Sequence, residues 1–118
     1  MDEGRPIFVQ IAEQIEVQIL DGVMPEEGQV PSINELSAFH RINPATALKG
    51  VNLLVEAGIL YKRRGIGMFV ASGAREAVLA QRREAFRSQY VRPLVLEAGK
   101  LAISPEQLTQ MIEKEAER

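Results

Sequence analysis

The residues best suited to ligand chemistry form one short run, Arg63-Arg64-Gly65-Ile66-Gly67. Adjacent guanidinium groups bind phosphate, and the two glycines allow a tight turn whose backbone can approach a ligand closely. A nucleotide-binding loop would place such glycines between a strand and a helix. Here β-prone residues flank the run on both sides, which favours a hairpin tip that contacts a nucleic-acid backbone or minor groove.

Cys and His are scarce, and the motifs typical of catalysis and metal binding do not occur. There is no Cys and a single His, His40, so Cys-based zinc sites, disulfides, thiol catalysis and Fe–S clusters are excluded. No nucleophile elbow, HExxH, P-loop or EF-hand spacing occurs. The most tempting spacings, Ser32/Glu35 and Ser104/Gln107, match the helix capping box. We therefore predict that the protein is not an enzyme, uses no metal or cofactor, and carries His40 as a surface turn residue.

Charge is unevenly distributed along the chain. Over 118 residues, 14 Lys and Arg are set against 16 Asp and Glu, and the resulting net charge of -2 argues against a uniformly basic nucleic-acid binder. Residues 1–40 hold one basic and eight acidic side chains, whereas residues 41–70 hold five basic and one acidic side chain. Because salt screens charges beyond roughly 8–10 Å, the local balance matters more than the total. The basic segment 41–70 is therefore the face expected to meet a polyanion.

The first forty residues contain the signals for two helices. An apolar stripe at spacings of three and four predicts a first helix from Pro6 to near Gly22, and the stripe consists of Phe8, Ile11, Ile15 and Ile19. The following loop has at most a short strand at Gln29–Val30. The capping box at Ser32 predicts a second helix through Phe39, whose inward residues are Leu36 and Phe39.

A third helix and a hairpin follow. Asn43 is placed to cap this helix, Pro44 to occupy its first turn and Gly58 to end it. Two β-prone runs, Ile59–Arg63 and Met68–Val70, then enclose the Arg- and Gly-containing tip. Two short helices joined by a tight turn and followed by a hairpin make a helix-turn-helix with a wing.

The remaining residues predict two helices. A long helical segment begins near Ser72 and contains Pro93, which should kink it, and Ser104 opens a final helix. Two helices cannot bury their apolar residues by packing on each other alone, so we predict a homodimer with a two-fold axis. Its contact residues are Val78, Leu79, Phe86, Tyr90, Leu94, Leu101, Leu108, Met111 and Ile112.

Several motifs of residues 6–70 closely resemble the DNA-binding domain of GntR-family bacterial transcription regulators. They are PIFVQIAEQI at 6–15, ILDG at 19–22, GQVPSINELS at 28–37, INPATALKGVNLLVEAGIL at 42–60 and RRGIGMFV at 63–70. The region AGKLAISPEQLTQMI at 98–112 resembles the YtrA-type subfamily. The resemblance implies a mainly α fold with a small β-hairpin, in which a winged helix-turn-helix domain, residues 1–71, precedes a short two-helix dimerisation region, residues 72–118.

The resemblance also implies a sequence-specific repressor. It would bind double-stranded operator DNA as a homodimer, with the third helix in the major groove, the 63–67 wing alongside, and pseudo-palindromic half-sites about one helical turn, roughly 10 bp, apart. The expected DNA-binding residues are Ser32, Asn34, Asn43, Pro44, Ala45, Thr46, Lys49, Arg63, Arg64, Gly65 and Gly67. Ser32 and Asn43 are equally explained as helix caps. For Lys49 the alternative to a DNA contact is a solvated lysine on the helix surface.

Two positions depart from the family pattern. Asn34 stands where many members have an Arg that reaches DNA, and because Asn pairs with adenine where Arg prefers guanine, the half-site preference should differ. Met68 replaces the Thr of the usual wing motif, which removes one phosphate contact.

Two other functions fit the same sequence. One is a sensor in which a small-molecule effector at the dimer or interdomain seam changes the spacing of the winged helices, and the other is a protein-interaction module that binds no DNA. No signal peptide pattern or run of roughly 20 apolar residues occurs, so we expect a soluble, cytoplasmic protein without membrane contact.

Overall fold

A computed structural model describes residues 4–118. Met1–Glu3, which open the predicted 1–71 domain and include two of the acidic side chains counted above, lie outside the described residues. No helix of the described chain combines the length and apolar character that a membrane span requires. In chain order the elements are α1 (Ile7–Leu20), β1 (Gln29–Val30), α2 (Ile33–His40), α3 (Pro44–Glu56), β2 (Leu60–Arg63), β3 (Gly67–Val70), α4 (Ala74–Phe86), a π-helical segment (Arg87–Val91), α5 (Arg92–Lys100) and α6 (Pro105–Ala116).

Helices α1 and α3 pack closely and form the centre of the hydrophobic core. Their buried apolar residues are Ile11, Ala12, Ile15, Ile19, Ala47, Val51 and Leu54. A Cβ atom added to Gly50 would lie 2.7 Å from the backbone oxygen of Phe8 and 3.2 Å from Cβ of Ile11. Because no side chain fits there, glycine at position 50 sets how near α3 lies to α1.

The strands form one antiparallel sheet in the order β1-β3-β2. The predicted hairpin pairs Leu60 with Val70 and Arg63 with Gly67, and the short strand β1 joins its other edge through Val30 and Met68. Side chains alternate between the faces of a sheet, so one face is buried in the core and the other carries exposed and half-buried residues. The prediction of a mainly helical fold with a small β-hairpin is confirmed, and the short strand allowed at Gln29–Val30 pairs with that hairpin.

Local signals at the helix ends are confirmed. The backbone N–H of Glu35 donates to Ser32 Oγ at 3.1 Å, and the backbone N–H of Ser32 donates to Glu35 Oε1 at 3.0 Å. The same reciprocal pair joins Ser104 and Gln107 at the start of α6. Arg41 ends α2 in the left-handed conformation, at φ 55°, which produces the predicted tight break before α3.

The prediction that Phe39 faces inward is wrong. Phe39 is 80% exposed and packs edge-on against the ring of His40, with 4.9 Å between the ring centroids. The prediction for Leu36 is confirmed, since it is buried on the core side of α2 together with the partly buried Ile33. His40, one helical turn after Leu36, is half-buried. The inward stripe is therefore rotated by one residue from the predicted one in the last turn of this short helix.

The chain divides into two compact units, the first ending at Ala80 and the second spanning Gln81–Arg118. The first unit thus extends beyond the predicted boundary at residue 71, because Ala74 and Val78 of α4 are buried in its core. Arg75 Nε also donates to the carbonyl oxygen of Leu20 at 3.1 Å and so caps the end of α1. Val78 is 0% exposed, so its predicted place on the dimer surface is wrong.

The second unit contains the end of α4, the π-helical segment, α5 and α6. Pro93 lies in the first turn of α5, where its missing N–H is tolerated. A wider π-helical turn over residues 87–91 lies just before it, and the kink at Pro93 stays a prediction. A short turn through Ala102, at φ 56°, connects α5 to α6.

Candidate nucleic-acid interface

The N-terminus of α3 presents the first group of predicted site residues. Asn43 caps the helix, because its Oδ1 accepts a hydrogen bond from the backbone N–H of Ala45 at 2.8 Å. Pro44 and Ala45 are exposed, and Thr46 is half-buried. Pro44 has no backbone N–H, and the N–H groups of Ala45 and Thr46 donate to Asn43, so the helix dipole is what makes this end favourable for a phosphate or another anion.

Lys49 lies two residues after Ala47, on the exposed side of α3 next to α1. Its Nζ is 4.3 Å from the centroid of the Phe8 ring, a cation–π distance. This contact directs the lysine stem across the N-terminal part of α1. The ammonium group therefore lies over the Phe8 ring.

Ser32, Asn34 and Glu35 form the first turn of the helix-turn-helix. Asn34 is exposed, so its amide is available to a ligand. The hydrogen bond from the Ser32 backbone lowers the pKa of the Glu35 carboxyl from its ordinary value, with a further contribution from the Ser32 hydroxyl. Glu35 therefore stays ionised near neutral pH and holds Ser32 in the capping box.

The wing tip is a four-residue turn closed by a backbone hydrogen bond from Ile66 to Arg63 at 2.9 Å. Gly65 and Gly67 have φ values of +76° and +145°, which side-chain-bearing residues adopt only under strain. Arg63 and Arg64 are exposed, and Ile66 between the glycines is 56% exposed. The two arginines and the bare backbone of the turn thus lie at one edge of the sheet.

Aromatic residues on the outer face of the sheet support the wing. The guanidinium carbon of Arg63 lies 5.4 Å from the centroid of the Phe69 ring, and Phe69 stacks on Tyr61 at 5.8 Å. The Tyr61 hydroxyl donates to Glu27 Oε2 at 2.7 Å, and this bond raises the pKa of Tyr61 above its ordinary value. The chain of contacts orients Arg63 along the strand.

A cleft of about 450 Å³ joins these groups. Its lining includes Ser32 and Glu35 of the α2 N-terminus, Leu48 of α3 and residues of the wing. Lys62 Nζ donates to Asn52 Oδ1 at 3.2 Å and so connects the wing to α3. The cleft brings Ser32 and the predicted wing residues to one surface. The other predicted DNA-binding residues do not line it, namely Asn34, Asn43, Pro44, Ala45, Thr46 and Lys49.

Sequence reasoning missed Gln29, Lys62 and Ile66 as members of this cleft. Lys62 was identifiable from its place in the basic run, but Gln29 required knowledge of how β1 pairs. Met68 is buried in the core and also lines the cleft. The loss of a phosphate contact expected from the Thr-to-Met difference stays a prediction.

In the second unit the predicted dimer residues are mostly exposed. Leu108 is half-buried, while Phe86, Tyr90, Leu94, Leu101, Met111 and Ile112 are exposed large hydrophobic residues. Val91, Val95 and Leu96 are exposed as well and were not predicted. Leu79, by contrast, is half-buried within the first unit.

No cluster of three or more metal-ligating side chains occurs among residues 4–118. Helices α2 and α3, the tight turn between them and the arginine-bearing wing define a winged helix-turn-helix domain.

Comparison with known proteins agrees with this class. No family model matches the chain. It is 27% identical over 111 residues to the HTH-type transcriptional repressor YtrA of Bacillus subtilis, covering 94% of this chain and 85% of that protein. The crystal structure of a GntR-family transcriptional regulator from Bacteroides thetaiotaomicron matches with a TM-score of 0.82 at 33% identity, covering 95% of this chain and 97% of that one. The DNA-binding domain of AraR in complex with operator ORR3 matches with a TM-score of 0.53 at 33% identity, covering 54% of this chain and 77% of that one.

The chain therefore belongs to the GntR family of transcriptional regulators, as its motifs predicted. The match to YtrA over most of both chains agrees with the predicted YtrA-type subfamily. Its relatives and structural neighbours are transcriptional regulators and not enzymes, which confirms the exclusion of an enzyme.

Proposed function

We propose that this protein is a transcriptional repressor that binds a pseudo-palindromic operator as a homodimer. In this proposal α3 enters the major groove, and the 63–67 wing follows the adjacent backbone or minor groove. The observation that carries the proposal is the shared cleft, which brings the α2 N-terminus and the two wing arginines to one surface. We expect the protein to act in the cytoplasm, where a bacterial regulator meets its DNA.

Each part of the surface has a distinct role in this proposal. Ala45, Thr46 and Lys49 on α3, together with Asn34 on α2, face base edges and nearby phosphates. The helix start at Ser32 and the positive end of the α3 dipole attract phosphates. The AraR DNA-binding domain, whose structure in complex with an operator is known, matches 54% of this chain.

The homodimer rests on the apolar surface of the second unit. Leu108, Met111 and Ile112 occur at spacings of three and four and so share one face of α6. Met111 and Ile112 are each 51% exposed within the chain. A contiguous apolar stripe of this kind marks an interaction surface in a soluble protein, and a two-fold dimer would cover it while presenting two recognition helices.

Two alternatives remain predictions from the sequence. A small-molecule effector at the dimer or interdomain seam is compatible with operator binding and would add regulation to it. A protein-interaction module is not compatible with operator binding, and such a module would have no use for the basic segment 41–70. Binding to DNA therefore separates the proposal from the second alternative.

The test is a titration of DNA by the full-length protein. The probe is a fluorescent duplex of the DNA immediately upstream of the protein's own coding sequence, with a scrambled duplex of equal composition for comparison. We expect preference for the upstream duplex and a steep loss of affinity between 50 and 200 mM KCl, because each neutralised phosphate releases counterions. Equal affinity for both duplexes would contradict sequence-specific binding.

The double variant Arg63→Ala/Arg64→Ala tests the wing. Its affinity should fall on both duplexes, and the slope of log affinity against log salt should become shallower by about one for each phosphate that the wing no longer neutralises. The matched control is Arg82→Ala/Arg83→Ala, which removes the same charge from the exposed surface of α4. A fall in affinity of equal size in the control would show that net charge, and not the wing, determines binding.

A further inference from the structure

The wing tip extends beyond the paired part of the sheet. The last ladder pair of the hairpin is Arg63 with Gly67, and β1 pairs with β3 only at Gln29 with Phe69 and Val30 with Met68. The next residue of β1 is Pro31, which has no N–H to continue the ladder. Since an isolated two-stranded hairpin is only marginally stable in water, backbone pairing alone leaves the tip at residues 64–66 weakly held.

One side chain reaches that tip. Gln29 lies opposite Phe69 and is therefore diagonal to Gly67 on the same face of the sheet. Its Nε2 donates a hydrogen bond to the carbonyl oxygen of Ile66 at 3.2 Å. The bond spans 37 positions of the chain, so it joins the wing to a strand that is remote in sequence.

The absence of a side chain at position 67 makes room for this bond. A Cβ atom on Gly67 would lie 2.6 Å from Gln29 Nε2, closer than non-bonded atoms approach. The amide of Gln29 thus occupies the space in which any other residue at position 67 would place its side chain. The position of the Gln29 amide therefore depends on the absence of a side chain at Gly67.

From this geometry we propose that Gln29 is a positioning residue for DNA recognition. Gln29 fixes the wing tip and, with it, the two arginines. This inference rests on the proposed function, because the position of the arginines matters only if the protein binds DNA. Gln29 also precedes Ser32, the cap of α2, by three residues. The segment from Gln29 to Ser32 therefore connects the wing to the start of α2. The Gln29 hydrogen bond thus sets the distance between the wing and the α2 N-terminus across the cleft.

The variant Gln29→Met tests the proposal because it keeps a side chain of similar length and removes the donor. Gln29 is exposed, so the fold should persist, and the urea midpoint measures whether it does. The control is Gln14→Met, which makes the same change on an exposed residue of α1 outside the cleft.

The first measurement needs no DNA. Hydrogen–deuterium exchange of peptides that cover residues 63–67, and the rate of trypsin cleavage after Arg63 and Arg64, report the opening of the tip. We expect both to rise about two- to tenfold in Gln29→Met, the factor that corresponds to one hydrogen bond, and to stay at the parent value in Gln14→Met. Parent-like exchange in Gln29→Met would overturn the proposal even if the protein binds no DNA.

The second measurement is affinity for the upstream duplex. Gln29→Met should weaken binding about two- to tenfold with a shallower salt slope, and it should cost nothing further when combined with Arg63→Ala/Arg64→Ala. Faster exchange with unchanged affinity would overturn the positioning role. Failure of the parent to bind either duplex would instead refute the proposed function, while the exchange data would still decide whether Gln29 holds the tip.

Discussion

At the scale of single residues, several side chains hold a contact residue in place without reaching the ligand. Phe69 lies under the guanidinium of Arg63, and Phe8 lies under the ammonium of Lys49. Gly50 acts through what it lacks, since its missing side chain lets α3 pack against the backbone of α1. Such residues have ordinary types and no motif, so the sequence pattern alone does not identify them.

Gly50→Ala tests the close approach of the two helices. An added methyl group would meet the Phe8 carbonyl oxygen at 2.7 Å, and overpacking of this kind costs about 1–3 kcal/mol. Alanine also favours a helix over glycine by about 1 kcal/mol, so the net loss of unfolding free energy should be smaller than the overpacking cost. Urea unfolding of the full chain measures it.

Gly99→Ala is the matched control for this prediction. Gly99 lies in α5 with no atom within 4 Å of an added Cβ atom, so only the gain in helix propensity applies. We expect an unchanged or higher urea midpoint. If both variants shift the midpoint equally, the packing of α3 on α1 is looser than the distances indicate.

At the scale of elements, predictability followed the range of the interactions. Helix starts at Ser32, Asn43 and Ser104 depend on hydrogen bonds within three residues, and all three caps are present as predicted. The apolar stripe of α1 and the turn at the wing were equally local. The predictions that failed depended on residues distant in sequence. The orientation of Phe39 depends on where the core lies relative to α2, and Val78 is buried because α4 packs into the core of the first unit.

The candidate site also depends on strand pairing between residues that are distant in sequence. Gln29 was assigned to a short strand from its neighbours alone, but its partner Phe69 is forty positions away. No local pattern indicates which edge of a hairpin receives a third strand. The cleft could therefore be predicted as two separate contact groups, while the side chain that joins them could not.

Asn43 allows the cap of α3 to be separated from a DNA contact. Its Oδ1 accepts the bond from Ala45, which leaves only the side-chain nitrogen for a phosphate. Asn43→Ala should lower the unfolding free energy by about 0.5–2 kcal/mol, whereas Asn43→Ser keeps a capping oxygen and should lose little. We expect Asn43→Ser nevertheless to bind the upstream duplex more weakly. Parent-like affinity in Asn43→Ser would identify Asn43 as a cap only.

At the scale of the whole molecule, the chain combines a well-packed first unit with a second unit whose apolar residues remain exposed. In the first unit the apolar residues of several helices and the sheet meet in one core. The second unit leaves most of its large apolar residues open to solvent within the single chain. Burial of that surface is what a second copy of the chain would contribute.

The variant Ile112→Glu tests the homodimer. A carboxylate on the apolar face of α6 would be buried without a partner in the dimer, so we expect a monomer at micromolar concentration by sedimentation velocity. The first unit should retain its fold, and affinity for the upstream duplex should fall because one recognition helix remains per molecule. Gln110→Glu adds the same charge on the opposite side of α6 and should leave a dimer. A dimer in Ile112→Glu would place the interface elsewhere.

The close approach at Gly50 has a consequence for how such a protein can be controlled. Because the backbone of α3 at Gly50 packs directly against the backbone and a side chain of α1, α3 has no room to slide or rotate on α1. The surface of α3 proposed to contact DNA is therefore rigid. A regulatory signal would then hardly change the structure within the domain and would act by moving the domain as one piece. Evolution of a new operator preference, by the same reasoning, would proceed through exchange of exposed side chains on an unchanged frame.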